Sequence, residues 1–335
     1  MKFHLLAGLT ALLLLCGCGK TQESEGAAPE RDTAVLELSL SATPAPEAQD
    51  EAARYGVYSL DGGEETDEFG NYDSDTGDEN ALLAQDGAAL TIRNADVNKT
   101  GDGAHDMLSG LNAAAAAAGG ASLRLESCTV TTNGLGAIGL FASGEGSLIG
   151  ALDAQVVTAG GNSPALALTH GAAAEIESSR LMSEAADAPL IAAAGGASVT
   201  LRGCTLQFSG AEAVRVADGE LALTLDAQQL TGDIALAASE GGAAGLRLTL
   251  QNGAAFTGAL LSGSADSVHV SLDETSQWTL TAEITLSSLS APDTDFAGIQ
   301  SNGFNIYYNA ELETNAWLGS QAYMLPGGGF LSPRI

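Results

Sequence analysis

Residues 118–125 read Ala-Gly-Gly-Ala-Ser-Leu-Arg-Leu, and residues 194–201 read Ala-Gly-Gly-Ala-Ser-Val-Thr-Leu. After two intervening residues, each stretch is followed by Cys, Thr and an apolar residue. The two copies lie 76 residues apart, which is too long for one unit of a repeat. Intermediate copies aligned at Leu148 and Ala174 divide this offset into steps of 25, 26 and 25 residues. A fixed period of this length indicates a solenoid, in which each unit buries its apolar side against its neighbours.

The apolar residues within each unit alternate with period two, which is a strand signal. Each unit opens this way, and further copies of the opening begin at Leu90, Leu221, Leu246 and Val268. A second short strand places one apolar residue at a constant position, which gives the column Val97, Val130, Val156, Leu181, Leu206, Leu230, Phe256 and Trp278. A third apolar patch completes several units, as at Ile138 and Leu140.

Three short strands per unit predict an all-β fold, a single-stranded parallel β-helix with three sides and equivalent strands ~4.8 Å apart. We expect about 8–9 coils of 22–26 residues. Right-handed winding is expected because parallel crossovers overwhelmingly take that hand. Residues 113–118, all Ala, would suit a helix by propensity, but their alignment with residues 191–194 predicts a strand.

The repeat block and the closing segment resemble a known family. Residues 301–308 read Ser-Asn-Gly-Phe-Asn-Ile-Tyr-Tyr, and residues 325–329 read Leu-Pro-Gly-Gly-Gly. Together they are similar to adhesin-like, right-handed β-helix surface lipoproteins of gut and soil bacteria, which have the pectate-lyase-type fold. The resemblance covers residues 55–335. Its motifs are specific for the fold and weak for function, because few proteins of this family have a known ligand.

The first 17 residues predict a bacterial lipoprotein signal peptide. Lys2 precedes an apolar run, Leu5 to Leu15, that is too short to span a bilayer. Leu-Cys-Gly-Cys at residues 15–18 matches a lipobox, so Cys18 is the expected lipid attachment site. An ordinary signal peptide that happens to contain cysteine is the alternative. The predicted location is extracytoplasmic, anchored by lipid to the bacterial cell membrane.

Composition divides the rest of the chain into three parts. Residues 18–54 are rich in Ala, Pro, Glu, Ser and Thr and predict a disordered acidic tether. Residues 55–295 are expected to form the β-helix, with an acidic, incomplete first coil. Residues 296–335 lose the period and contain several aromatic residues, which predicts a cap over the open end of the solenoid.

An acidic run in the first coil contains a weak calcium candidate. Asp73, Asp75 and Asp78 have the carboxylate spacing of a calcium loop, but the glycine and the bidentate glutamate of an EF-hand are missing. A solvated acidic loop is the alternative interpretation. Apart from possible Ca²⁺, no cofactor is expected.

The long coil that begins at Leu90 carries an insertion with the only candidate acid–base cluster. Asp102, His105 and Asp106 place two carboxylates and an imidazole close together in sequence. Polygalacturonases of the resembling fold use clustered Asp residues with His and a basic residue on adjacent coils, and the neighbouring coils show no such match. A turn with a charged tip is therefore favoured over a catalytic site.

Two cysteines test the geometry of the repeat. Cys128 and Cys204 occupy the same column three rungs apart, which predicts a separation of ~14 Å. A disulfide tolerates Cα separations only to ~7 Å, so two free, buried thiols are expected.

Composition and aromatic content restrict the function. The formal net charge of −30 disfavours nucleic acid and anionic surfaces. Tyr307, Trp317 and Tyr323 are candidates for stacking on sugars. The favoured hypothesis is a monomeric, non-catalytic, lipid-anchored rod for adhesion or for binding glycans or an envelope surface. The alternatives are a pectin-degrading type of polysaccharide lyase or glycoside hydrolase, and a structural spacer without a ligand.

Overall fold

A computed structural model describes residues 53–237, 243–263, 266–292 and 294–334. The predicted signal peptide, Cys18 and nearly all of the predicted tether lie outside the described residues. The described residues form an all-β parallel solenoid of about 11 turns, as the repeat predicted. The count exceeds the expected 8–9 turns because the acidic N-terminal segment forms a complete turn and parallel pairing continues beyond Ile284.

Each of the N-terminal turns passes through three parallel sheets, here named A, B and C in the order in which the chain visits them. Sheet C ends at Phe208, and a separate sheet takes its place in the later turns. Sheet A contains Gly56–Asp61, Asn80–Gln85, Ala113–Ala118, Ile138–Ser143, Leu166–Thr169, Ile191–Ala194, Val214–Val216, Ile234–Leu236 and Leu260–Leu261. Sheet B contains Glu64–Glu68, Ala89–Arg93, Ser122–Glu126, Leu148–Leu152, Ala172–Glu177, Ala197–Arg202, Gly219–Asp226, Ala244–Gln251, Ser267–Leu272 and Ser288–Ser290. Sheet C contains Asn71–Ser74, Asp96–Lys99, Thr129–Thr132, Gln155–Thr158, Arg180–Ser183 and Thr205–Phe208.

Two shorter sheets, D and E, occur in the C-terminal turns. Sheet D contains Gln229–Thr231, Ala255–Gly258, Gln277–Leu280 and Ile299–Gln300. Sheet E contains Ile284–Leu286, Ile306–Asn309, Phe330–Arg334 and Tyr323–Met324, of which the last pairs antiparallel with its neighbour. A 3₁₀-helix, Glu313–Leu318, lies between strands of sheet E. Parallel pairing thus continues into the segment predicted as the cap.

The predicted column of stacked apolar residues is confirmed. Val130 pairs with Val156, and Val156 pairs with Leu181, in register along sheet C. All three side chains are fully buried. The column continues in sheet D, where Phe256 pairs with Trp278. Because each side chain packs on the equivalent residue of the next coil, the core extends along the described solenoid instead of closing into a sphere.

One register was wrong by a single residue. The column that contains Leu123 continues at Ile149, not at Leu148. Ile149 is fully buried, whereas Leu148 lies on the outer face of sheet B and is partly exposed. The next partner, Ala174, is as predicted. A one-residue slip moves every side chain of a strand to the opposite face, so Leu148, Gly150 and Leu152 point outward.

The corner between sheets A and B explains the repeated Gly-Gly of the sequence. Gly119 and Gly120 have φ values of 60° and 76°, and Gly195 and Gly196 have 65° and 80°. Two successive residues with positive φ make a tight turn that glycine adopts without strain. The Gly-Gly-Ala-Ser motif therefore ends one strand and starts the next.

The acidic run of the first coil is not a loop, as the sequence suggested, but largely strand. In sheet B, Glu65 pairs with Leu90 and Asp67 pairs with Ile92, so both acids occupy columns that are apolar in the following coils. The hydroxyl groups of Tyr58 and Tyr72 donate hydrogen bonds to these carboxylates. Burial, followed by the adjacent carboxylate, raises the pKa of Tyr58 to about 12. At the first described coil, the apolar columns of the core thus end in two acidic residues.

The insertion after sheet C of the second coil covers the outer face of sheet A. Met107 is buried there with Phe141, and the outward-facing alanines of residues 113–118 leave room for it. The guanidinium carbon of Arg54 lies 5.5 Å from the centre of the Phe141 ring. The insertion therefore forms a small second core outside the solenoid.

Candidate functional site

A column of buried polar residues runs along the end of sheet C. It contains Ser74, Lys99, Thr132, Thr158 and Ser183, which pair in register on successive coils. The hydroxyl groups of Thr132 and Thr158 donate to the carbonyl oxygens of Ala137 and Ser163, both at 2.7 Å. These two hydroxyl groups thus each satisfy a carbonyl of the turn that follows their own strand.

In the coil that carries the insertion, Lys99 also donates hydrogen bonds to backbone carbonyl oxygens. Its ammonium group donates to the carbonyl oxygens of Thr76, at 2.7 Å, and Gly101, at 3.2 Å. The side chain is fully buried. Burial lowers the pKa of Lys99, and Glu79 and Asp78 oppose that shift. Sequence reasoning missed this residue, although its position in the column of Ser and Thr would have shown that it points inward.

The structure uses the candidate calcium residues for hydrogen bonds within the protein. The carboxylate of Asp73 accepts from the side-chain amides of Asn71 and Asn98. Asp78 accepts from the backbone amide of Ala104 at 3.0 Å, and Asp75 is exposed on the turn between them. No group of three or more His, Cys, Asp or Glu side chains that could hold a metal ion occurs in the described part of the chain.

The candidate acid–base residues also have structural partners. Asp102 accepts from the backbone amide of Leu135 at 2.8 Å, and Asp106 accepts from that of Leu108 at 2.8 Å. The imidazole of His105 is half-exposed and lies 3.8 Å from the carboxylate of Asp78 instead. The two aspartates therefore hold turns of the insertion in place, and the structure pairs the histidine with a different carboxylate.

Both described cysteines are free thiols, as the rung spacing predicted. Cys128 is buried, and its Sγ lies 3.4 Å from the carbonyl oxygen of Ile92. Cys204 is only partly buried, contrary to the prediction, because it lies where sheet C ends. The side-chain amide of Gln228 there replaces the missing strand partner, accepting from the amide of Cys204 and donating to its carbonyl.

Two of the three candidate sugar-stacking residues pack against the protein. The rings of Trp317 and Tyr323 contact buried Phe296, with centroids 6.0 Å and 5.3 Å away. The indole of Trp317 donates to the carbonyl of Leu289, and the hydroxyl of Tyr323 donates to that of Leu318. These contacts assign both residues a role in covering the end of the core.

Tyr307 stands in a different environment. It occupies the outer face of sheet E, in register with Thr285 on one side and Ser332 on the other. Both neighbours have short side chains, and the Tyr307 ring is partly exposed. The phenol hydroxyl lies 3.5 Å from the carboxylate of Glu283, which also accepts from Asn305 at 3.2 Å.

A groove adjoins this ring. It consists of two neighbouring clefts, of about 450 and 380 Å³, which share Gly263, Thr285 and Arg334. Tyr307 and Glu283 line the first cleft, and Asp266, Asn309 and Glu311 line the second. The groove thus combines one aromatic ring with carboxylate, amide and guanidinium groups, an arrangement suited to a polar ligand with an apolar face.

No family model, curated protein or solved structure matches this chain. Among the described residues, the structure contains no helix long and apolar enough to cross a membrane. The strand pairing alone therefore shows the fold, and a fold does not by itself determine the function of a protein.

Proposed function

We propose that the chain is a lipid-anchored envelope protein whose solenoid binds neutral glycans without catalysis, in the manner of an adhesin. The signal sequence would direct export, and a lipid on Cys18 together with the tether would hold the solenoid at the cell surface. The resemblance of the repeat block to adhesin-like β-helix proteins of the pectate-lyase-type fold is in line with this function.

The single observation that carries the proposal is the setting of Tyr307. Its ring stands between two short side chains, beside a groove with Glu283 and Arg334. The negative face of an aromatic ring attracts the C–H groups on one side of a sugar. The carboxylate and the guanidinium can accept from and donate to its hydroxyl groups.

The acid–base residues support binding over hydrolysis. Asp102 and Asp106 are engaged by backbone amides of their own insertion and its neighbour. A general acid or base has to face a substrate proton within hydrogen-bond reach. The net charge of −30 further disfavours polyuronate substrates, which leaves neutral glycans as the preferred class.

The test is a glycan array with the purified chain from residue 19 onward, followed by calorimetric titration of the best ligand. We expect Tyr307→Ala to weaken binding by about two- to thirteenfold, since an aromatic contact contributes ~0.5–1.5 kcal/mol. Tyr55→Ala is the matched control, because Tyr55 is an exposed tyrosine of the first described coil. Undiminished binding in Tyr307→Ala would refute the site beside Tyr307, whereas no glycan binding at all would refute the proposed function and favour the spacer.

A further inference from the structure

The outer face of sheet B has an empty position at Gly150. The residues in register with it are Arg124 on the preceding coil and Glu175 on the following one. Gly150 does not have a positive φ, and a Cβ built on it would meet nothing closer than Cγ of Arg124, at 3.6 Å. Neither a turn nor a close contact requires this glycine. A glycine that weakens a strand without such a reason often marks a place where a ligand approaches.

A cleft of about 300 Å³ lies over Gly150, which is itself buried beneath its neighbours. The side chains around it are those of Arg124, Leu152, Glu175, Glu177, Thr200 and Arg202. Leu152 is the apolar member of an outward row that otherwise carries Glu126, Glu177, Arg202 and Asp226 on the neighbouring coils. The cleft thus has a polar rim and one apolar wall.

The charges at the rim are only partly neutralised. Nε of Arg124 donates to Glu126 at 2.7 Å, while the structure gives its two terminal nitrogens no partner among the described residues. Arg202 is held by Asp226 through two hydrogen bonds. Within the described residues, Glu175 makes neither a hydrogen bond nor an ion pair. The carboxylate of Glu175, which acts on Arg202 only through its charge, and the partly free guanidinium of Arg124 thus occupy the rungs on either side of Gly150.

We propose that this cleft binds a zwitterionic α-amino acid with an apolar side chain. The ligand carboxylate pairs with the guanidinium of Arg124, the ligand ammonium pairs with Glu175, and the aliphatic side chain lies on Leu152. Positive and negative charges then alternate along the row, which neither a neutral sugar nor a simple ion would achieve. This site lies on sheet B and does not rest on the groove beside Tyr307.

The probe is L-leucine, titrated against the purified chain by saturation-transfer NMR, with N-acetyl-leucine, leucinamide and glucose as comparisons. Each derivative lacks one of the two charges, so each is expected to bind about tenfold more weakly. Gly150→Val fills the cleft with a side chain that suits a strand, so it is expected to abolish binding while keeping or raising the denaturation midpoint. Glu175→Gln is expected to lose the preference for leucine over N-acetyl-leucine.

Thr224→Val is the control, since it places a valine in the same outward row as Gly150 but outside the cleft. Leucine binding by the wild type and by Thr224→Val, but not by Gly150→Val, would support the site. Undiminished binding in Gly150→Val, equal binding of glucose, or no binding of leucine at tens of millimolar would overturn it.

Discussion

The buried ammonium group of Lys99 donates a 2.7 Å hydrogen bond to the carbonyl oxygen of Thr76, in the turn of the preceding coil. A second bond to Gly101 joins that turn to the insertion. Several carboxylates that the sequence suggested for calcium or catalysis act electrostatically on this group. Acidic residues of the first two coils thus surround the buried positive charge of Lys99.

Lys99→Met should therefore destabilise the N-terminal coils. The carbonyl oxygens of Thr76 and Gly101 would lose a charged donor, while the cost of burying the charge would disappear, for a net loss of about 2–4 kcal/mol. Urea denaturation followed by circular dichroism measures the loss. Thr132→Val, at the next position of the same column, removes one neutral bond and is expected to cost about 1 kcal/mol. An equal effect of both variants would contradict the special role of the ammonium group.

The inward acids of the first coil predict a second outcome. Glu65 and Asp67 interrupt two columns that are apolar in the coils that follow, and inward charges are a known means of preventing sheet edges from pairing. We expect Glu65→Leu with Asp67→Leu to cause concentration-dependent association, measured by light scattering after gel filtration. The paired control is Glu64→Leu with Glu68→Leu, which places the same residues on the outer face of that strand. If the inward double variant stays monomeric at all concentrations, the acids do not protect this edge.

The columns were predictable from sequence because every coil must bury a side chain at the same position. Val130, Val156 and Leu181 follow directly from that requirement. Lys99 was missed because a charged residue beside an acidic turn suggests a surface position. Its neighbours in the column, Ser74 and Thr132, reveal the inward direction only once the register is known.

The register of the strand Leu148–Leu152 was predicted wrongly because apolar residues occupy its outer face. Its leucines point outward, and its inward positions are taken by Ile149 and Ala151, so simple alternation favours the wrong phase. Local patterns that disagree with the fold are expected at sites with another role. The error falls at the cleft that contains Gly150, where outward apolar side chains flank the empty position.

The corner carboxylate Asp273 predicts a pH dependence. It accepts hydrogen bonds from the backbone amides of Asn252, at 2.6 Å, and Thr275, at 3.0 Å. These bonds, with that to Asn252 the largest cause, lower the pKa of Asp273 to about 2. Because the folded pKa lies below the unfolded value of 3.8, the carboxylate stabilises the fold above pH 3.8 and loses this effect as the pH falls towards 2.

Asp273→Asn should therefore lower stability at neutral pH by about 1 kcal/mol, with allowance for solvent screening, and this difference should shrink as the pH falls from 3.8 through about 2. Denaturant titrations at several pH values between 2 and 7 test this expectation. Glu274→Gln, at the exposed neighbouring residue, is the control and should change little at any pH. A deficit in Asp273→Asn that persists unchanged at pH 2 would show that the charge is not its cause.

The proposed lipid anchoring would depend on one of two cysteines, Cys16 and Cys18, that lie outside the described residues. Gly17 supplies the small residue required before the lipid-bearing position, so Cys18 should carry the lipid, whereas cleavage before Cys16 would need Leu15 at that position. Expressed in a bacterial host with an alkyne-tagged fatty acid, the wild type and Cys16→Ala should be labelled and remain with the membrane fraction. Cys18→Ala should be unlabelled, because the thiol that receives the lipid is gone. Since a single lipid-modified cysteine would hold the protein, its loss should move the chain out of the membrane fraction, and labelling of Cys18→Ala would refute the assignment.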